Sequence, residues 1–245
     1  MNSVLELLAD HRSIRKFTDT PVDDAMVDEL LRVAQCASTS SHVQAYSVIR
    51  INNPETRAAI ARLAGPQPWV EAAPVFLMFC ADLRRLEQAC ETHGKRAEMG
   101  WFEQGLVAAT DTAILGQNMM VAAESVGLGG VFIGGIRNDP AQVSKLLALP
   151  HQVFPVFGLC LGYPDQDPPV KPRLPVELIL HEERYDTDKA QDQLTAYDTR
   201  VNEYYKARSP KLKERTWTSG MAEFTGQKVR PHMKEFLQSK GFFQK

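Results

Sequence analysis

The spacing of apolar residues near the start of the chain predicts two amphipathic helices. Residues 2–9 and the stretch from Val27 to Ala34 repeat apolar side chains at intervals of three and four. Thr20 and Pro21 have the residue types of an N-cap and a first helical position, so we expect the second helix to begin there.

Four apolar stretches predict strands: residues 45–51, residues 75–81, the stretch between the glycine pairs of GGVFIGG, and VFPVFGLCLGYP. A long helix is predicted over residues 97–126, and its second half is apolar almost all round. Such a helix belongs in a core or in a subunit interface. The strands and helices alternate too irregularly for a doubly wound parallel sheet.

A change of composition near Tyr163 suggests how the chain is organised. Residues 1–162 predict a compact core, whereas residues 163–245 are rich in proline and charge and predict an extension of the same domain unit. That extension holds a mobile basic loop and a C-terminal helix, and we expect it to wrap around a second copy of the chain.

Charge and composition exclude several classes of partner. The chain has 245 residues, a net charge of −2 and a pI of about 6.3. Its overall electrostatic field therefore does not favour binding to nucleic acid or to an anionic membrane. The N-terminus carries Glu6 and Asp10 and lacks the basic start of a signal peptide. The apolar residues 105–136 include too many polar side chains to span a bilayer. These features predict a soluble cytoplasmic protein.

The cysteine pattern agrees with a reduced compartment. Cys36, Cys80, Cys90 and Cys160 show neither a CxxC motif nor a metal-ligand spacing with histidine. Cys36, Cys80 and Cys160 lie in apolar or helical contexts, so we expect them to be reduced core residues.

Two basic segments in this slightly acidic chain suggest a bound anion. HRSIRKF, residues 11–17, includes Arg12 and Ser13, which suit a phosphate. VKPRLP, residues 170–175, places Lys171 and Arg173 in a stretch stiffened by prolines. The alternatives are an exposed basic edge for the first segment, with His11 capping the preceding helix, and a solvated linker for the second.

A glycine-rich stretch, GLGGVFIGG at residues 127–135, does not fit a dinucleotide fingerprint. The predicted helix ends at Gly127 and a strand follows, which reverses the strand–turn–helix order of that motif. Gly134 and Gly135 still offer backbone that a flat ligand can approach closely, and a plain tight turn is the alternative.

Two further polar stretches leave similar alternatives open. STSSH, residues 38–42, supplies more hydroxyls than a helix end needs, either for a turn or for ribityl or ribose oxygens. YYKARSPKLKER, residues 204–215, predicts a basic loop that is either solvated or reaches for a nucleotide phosphate. No GxSxG, HExxH or EF-hand motif is present, so hydrolytic and metal chemistry are disfavoured.

Several blocks of sequence occur together in one order: HRSIRKFTDTPV, ASTSSHVQAYSVI, LAGPQPWV, AAESVGLGGVFIGGIRND and FGLCLGYPDQDPPVKPRLP. In this combination the chain resembles the FMN-dependent nitroreductase superfamily, in its oxygen-insensitive NADPH nitroreductase and NADPH–FMN reductase branch. The resemblance implies an α+β fold with a central mixed β-sheet flanked by helices. It also implies an intertwined homodimer with two FMN molecules at the subunit interface.

The resemblance further implies which residues contact the cofactor. Arg12 and Ser13 are expected at the phosphate and Arg15 at the pyrimidine edge of the flavin. Thr39 stands where the family usually has serine, and Phe132 where some relatives have tyrosine. The complete predicted set for FMN is His11, Arg12, Ser13, Arg15, Thr39, Gln67, Phe132, Ile133, Gly134, Gly135, Lys171 and Arg173.

On the substrate side the resemblance implies Arg208, assisted by Lys213, at the NADPH phosphate. It implies Arg230 beside the substrate pocket, with Ser41 and His42 at the mouth. The expected activity is a ping-pong, two-electron reduction of nitroaromatics, quinones or flavins by NADPH, with NADH as a possible donor. No protein nucleophile is needed, because the flavin carries the chemistry. The alternatives are a reductase of free FMN and a flavin-binding regulator without turnover.

Overall fold

The computed structural model describes residues 2–188, 191–208 and 214–245. Within these residues the chain divides into two compact units. Unit 1 comprises residues 1–168 and 232–245, and unit 2 comprises residues 169–231.

The helices of unit 1 include the two predicted near the start of the chain and the long helix predicted over residues 97–126, with shorter helices between the strands. In chain order they are α1 (Ser3–Ala9), α2 (Asp24–Ala34), α3 (Pro54–Leu63), α4 (Trp69–Ala72), α5 (Arg84–Thr92), α6 (Phe102–Ser125) and α7 (Pro140–Leu146). Unit 2 holds α8 (Val176–Ile179), α9 (Gln191–Arg208) and α10 (Trp217–Thr225). The last helix, α11 (Met233–Ser239), belongs to unit 1.

The predicted start of the second helix is wrong by about one turn. The helix α2 begins at Asp24, and the side chain of Asp23 accepts a hydrogen bond from the backbone N–H of Ala25 at 3.0 Å. A carboxylate at the N-cap satisfies an otherwise unpaired N–H and favours the positive end of the helix. Thr20 and Pro21 precede the helix rather than opening it.

The sheet of the described residues has four strands: β1 (Tyr46–Arg50), β2 (Val75–Asp82), β3 (Gly129–Ile133) and β4 (Val153–Gly162). Their order is β1-β2-β4-β3. Each pairing is antiparallel, with Met78 of β2 opposite Ile49 of β1 and Gly158 of β4. The mixed sheet that the resemblance implied is therefore wrong for these strands. Strand direction depends on how each connection crosses the sheet, which the pattern of apolar residues does not encode.

The sheet separates two apolar clusters. Alternate side chains of β2 point to opposite faces, so Phe76 and Met78 join one cluster while Leu77 and Phe79 join the other. The second cluster includes Leu115, Met119 and Met120 of α6, all fully buried. The α+β class is confirmed, and the long apolar helix packs against the sheet as its composition indicated.

Candidate functional site

The segment HRSIRKF lies along the edge of the sheet. Ile14 is buried, its backbone N–H donates to the carbonyl of Gly130 in β3 at 2.9 Å, and its side chain occupies the space that a Cβ on Gly129 would need. Further along, the N–H of Thr18 donates to Tyr163 O at 2.9 Å. Extended backbone alternates side chains, which buries Ile14 and leaves Arg15 exposed.

Carboxylates contact two of the polar side chains in this segment, His11 and Arg12. His11 Nδ1 lies 2.6 Å from Glu124 Oε1, on the last turn of α6. Arg12 pairs with Asp10 and with Asp167, the latter at 2.5 Å. The side chains of Asp10 and Asp167 are 68% and 84% exposed, so each of these pairs is worth only about 0–1 kcal/mol and a stronger anion could replace it. His11 does not cap α1, whose C-cap is Asp10.

Arg15 and Gln67 are connected through Trp69. The guanidinium carbon of Arg15 lies 5.6 Å from the centroid of the Trp69 ring. The indole Nε1–H donates to Gln67 Oε1 at 3.1 Å, and Gln67 Nε2 donates to Ala64 O at 2.7 Å. Arg15 forms no ion pair with any described residue, so its charge is available to an anionic group.

Gly135 lies against the same group. A Cβ on Gly135 would be 2.1 Å from Ala64 O and 2.5 Å from Gln67 Nε2, so no larger residue fits without displacing Gln67. A Cβ on Gly134 would meet nothing nearer than Arg137 at 3.5 Å. Three predicted residues, Arg15, Gln67 and Gly135, therefore come together around Trp69.

Phe132 and Ile133 end strand β3 just before these glycines. Ile133 is fully buried and belongs to the apolar cluster that includes Phe76 and Met78. The ring of Phe132 is only partly buried and packs edge-to-face on Phe157 with centroids 5.1 Å apart. The predicted order is confirmed, since α6 ends at Ser125 and β3 begins at Gly129.

Thr39, Ser41 and His42 lie on an irregular segment of unit 1. Thr39 is extended and precedes a single 3₁₀ turn at Ser40–His42. Ser41 and His42 have left-handed φ angles of 48° and 57°, and both side chains are exposed. His42 Nε2 lies 3.2 Å from Gln44 Nε2.

Lys171 and Arg173 belong to unit 2, in the irregular residues before α8. Both side chains are exposed, and Arg173 Nη1 donates to the carbonyl of Lys171 at 2.7 Å. Neither side chain pairs with a carboxylate among the described residues. Their convergence with HRSIRKF upon one phosphate stays a prediction.

A second group of cations surrounds Tyr205 within unit 2. Lys171 Nζ lies 5.4 Å from the centroid of the Tyr205 ring, and the guanidinium of Arg215 lies 5.0 Å from it. A hydrogen bond with Lys171 and the charges of Lys171, Arg215 and Arg208 lower the pKa of the Tyr205 phenol. Lys171 and Arg208 therefore both contribute to the positive electrostatic potential at Tyr205. Neither VKPRLP nor YYKARSPKLKER predicted this alone.

Arg230 and Lys213 are the remaining residues predicted on the substrate side. Arg230 is half-buried and adopts a left-handed φ of 49°. Lys213 lies outside the described residues.

Neither a metal centre nor a membrane span emerges from the described part of the chain. Its histidine, cysteine, aspartate and glutamate side chains form no group of three or more that could hold a metal ion. None of its helices combines the length and the apolarity that crossing a bilayer requires.

Sequence reasoning missed four residues that organise the predicted ones. They are Trp69, Asp111, Glu124 and Tyr205. Asp111 and Glu124 carried a usable signal, because a carboxylate within an otherwise apolar helix is expected to have a polar partner. Trp69 and Tyr205 gave no signal, since aromatic residues are more often simple core residues.

Comparison with known sequences shows which family the chain matches. Residues 8–163 match the Nitroreductase family, and residues 171–245 match the C-terminal domain of the Nitroreductase family. The chain belongs to the nitroreductase family. The resemblance seen in the sequence blocks is thereby confirmed.

Relatives within this family match the chain from end to end. An oxygen-insensitive NADPH nitroreductase of Salmonella typhimurium is 43% identical over 242 residues, which cover 99% of each protein. An FMN reductase (NADPH) of Bacillus subtilis is 41% identical, with 99% of each covered. The solved structure of B. megaterium NfrA1 superimposes with a TM-score of 0.96 at 43% identity, covering 99% of this chain and 100% of that one.

Proposed function

We propose that this nitroreductase-family chain is an FMN-containing, NAD(P)H-dependent oxidoreductase that reduces nitroaromatics, quinones or flavins by two electrons. The observation that carries the proposal is the Arg15–Trp69–Gln67–Gly135 arrangement, in a chain that matches NADPH nitroreductase and FMN reductase relatives over its full length. It combines a cation that pairs with no carboxylate of the described residues, an amide and glycine backbone, which are the groups that a planar, electron-accepting ring needs.

The residues present fit FMN. A flavin offers a phosphate, ribityl hydroxyls and a ring edge that becomes anionic on reduction, and this chain offers exposed cations, hydroxyls and an amide for them. The proposed FMN contacts are His11, Arg12, Ser13, Arg15, Thr39, Gln67, Phe132, Ile133, Gly134, Gly135, Lys171 and Arg173. When bound, FMN supplies the capacity to accept a hydride and pass on two electrons.

The chain's own residues then supply position and charge. Arg15, held beside Trp69, would stabilise negative charge at the pyrimidine edge. Gln67 is oriented by two hydrogen bonds and presents its amide in a fixed direction. Arg12 would exchange its exposed carboxylate partners for the phosphate.

NADPH and the acceptor are proposed to use the substrate side in turn, which gives ping-pong kinetics. Arg208 and Lys213 would meet the NADPH phosphate, with the field around Tyr205 as support. Ser41, His42 and Arg230 would border the acceptor.

We further propose a homodimer of this chain in the cytoplasm. The long helix α6 buries one face against the sheet, yet it exposes Phe102, Leu106 and Ile114 by 62%, 51% and 38%. Large apolar side chains exposed together on one element mark an interaction surface. Light scattering of the purified protein should give twice the 27.4 kDa chain mass, and Leu106→Asp should shift the protein toward monomer.

The deciding experiment is anaerobic addition of excess NADPH to the purified yellow protein. Loss of the yellow colour, and its return when an acceptor is added, supports the reductase. A protein that stays yellow would instead be a flavin-binding regulator without turnover, and a colourless protein that refuses added FMN would remove both.

A reductase of free FMN is the second candidate, since one relative is named FMN reductase (NADPH). Steady-state rates with FMN, a quinone and a nitrofuran separate the two, because a dedicated flavin reductase should give its highest kcat/KM with FMN.

A further inference from the structure

A buried carboxylate in the middle of α6 binds both ends of one irregular segment. Asp111 is 1% exposed. Its Oδ1 accepts a hydrogen bond from Ser40 N at 3.0 Å, and its Oδ2 accepts one from Ala45 N at 3.3 Å. The two bonds therefore clamp segment 40–45 at its first and last residues.

The segment between these two bonds is strained. Ser41, His42 and Gln44 adopt left-handed φ angles of 48°, 57° and 52°, although none of them is glycine. Such residues persist in this conformation only where the surrounding structure imposes it. Within the segment, Val43 N donates to Ser40 O at 2.9 Å and closes a single turn, and at the far end Ala45 O accepts from Asp82 N of β2 at 2.9 Å. Asp111 therefore attaches the Ser40 end to the core, whereas Asp111 and β2 together attach the Ala45 end.

A carboxylate binds two backbone N–H groups better than any neutral side chain. Both oxygens accept, so one group satisfies two backbone N–H donors, and a charged acceptor strengthens each bond. The long helix α6 also holds Asp111 on a rigid element, which is what precise positioning requires.

We propose that Asp111 is a positioning residue that holds segment 40–45 in its strained form, and thereby sets how Ser41 and His42 border the electron acceptor. This inference rests on the proposed function, which places Ser41 and His42 on the substrate side. A small acceptor makes few contacts and depends on these two residues, whereas NADPH has additional cationic contacts elsewhere.

The first test is Asp111→Asn in the FMN-loaded protein. An amide keeps the shape but turns an NH₂ group toward one of the two N–H donors, which breaks one bond. We expect the KM for a nitrofuran to rise about tenfold, or about 1.4 kcal/mol, while the rate of flavin reduction by NADPH stays within about twofold.

Thr112→Val is the matched control. Thr112 is the next residue on α6 and is fully buried, and its hydroxyl lies 2.7 Å from Ala108 O and 3.4 Å from Cys80 O with no hydrogen bond to segment 40–45. We expect the control to leave the nitrofuran KM within about twofold. Equal KM changes in the two variants, or no change in Asp111→Asn, would overturn the proposal.

Amide hydrogen exchange provides a test that needs no variant and no turnover. In the unmodified FMN-loaded protein, the amides of Ser40 and Ala45 should exchange at least about tenfold more slowly than those of His42 and Gln44. Fast exchange at Ser40 and Ala45 would show that Asp111 does not hold them. Because this measurement uses neither NADPH nor acceptor, its result is independent of whether the protein proves to be a reductase.

Discussion

Arg15 stacks its guanidinium over the indole of Trp69, 5.6 Å from the ring centroid, and so keeps an exposed cation in one place without a carboxylate partner in the described part of the chain. A long cationic side chain on the surface is usually either mobile in solvent or paired with a carboxylate. Stacking on an aromatic face avoids both outcomes.

Replacing Arg15 with Ala should make the two-electron reduction potential of the bound flavin more negative. The reduced ring carries negative charge that a nearby cation stabilises, and a loss of about 1.4 kcal/mol corresponds to about 30 mV for a two-electron couple. A dye-coupled reductive titration measures the shift. Lys16→Ala removes an adjacent exposed cation and should leave the potential unchanged; the same shift in both variants would mean that only overall charge matters.

Two substitutions separate the contact of Trp69 with Arg15 from its contact with Gln67. Trp69→Phe keeps an aromatic face for Arg15 but removes the N–H that binds Gln67 at 3.1 Å, whereas Trp69→Leu removes both. We therefore expect FMN affinity to fall about threefold in the first variant and about tenfold in the second, the cost of one and then two weak contacts. Fluorescence titration with FMN measures this. Equal losses in both variants would show that the ring face contributes nothing.

The two glycines after β3 should respond differently to a methyl group. Gly135→Ala places a Cβ 2.1 Å from Ala64 O, and overpacking of this kind costs about 1–3 kcal/mol of unfolding free energy. Gly134→Ala meets its nearest atom at 3.5 Å and should leave stability nearly unchanged. Urea unfolding compares the two variants.

FMN binding then tests the role of Gly134 itself. If a flavin ring approaches this backbone, Gly134→Ala should weaken FMN binding about tenfold despite its unchanged stability. Unchanged FMN affinity in Gly134→Ala would remove that residue from the proposed contacts.

Arg208 should distinguish NADPH from NADH. Arg208→Ala removes a cation from the field around Tyr205, so the NADPH KM should rise about tenfold while the NADH KM changes less than about twofold. Arg200→Ala is the control, because Arg200 lies on the same helix with its guanidinium 5.7 Å from a different ring, that of Tyr197. Similar effects on both nucleotides would exclude Arg208 from phosphate recognition.

The cysteines should divide into reactive and protected pairs. Burial raises the pKa of the Cys80 and Cys160 thiols to about 12, so almost no thiolate exists at pH 8 and neither should react with a thiol reagent in the native state. Cys36 is exposed and Cys90 partly so, and both should be labelled. Peptide mapping after labelling checks this assignment.

The same two thiols predict a loss of stability in alkali. Their folded-state pKa lies above the ordinary value of 9.0, so the folded state binds these protons more tightly than the unfolded state. Their contribution is complete below about pH 9 and declines as the pH rises toward 12. Cys80→Ala with Cys160→Ala should flatten this decline in urea titrations; an identical decline in the double variant would assign it to other groups.

Local sequence determined the elements of this protein. The strands and the long helix α6 lie within a few residues of where their apolar patterns predict them, since periodic burial is a local property of the chain. The family was also determined by sequence, because several blocks of residues in a fixed order are specific to it.

Pairwise relationships across the chain were decided only by the tertiary structure. The antiparallel direction of the strands and the exposure of Cys36 against its predicted burial depend on what each segment packs against. The sequence identified Arg15 and Gln67 but not Trp69 between them, and it did not indicate that Asp111 binds segment 40–45. Residues distant in the chain become neighbours through packing, and the local pattern of polar and apolar residues does not specify which of them come into contact.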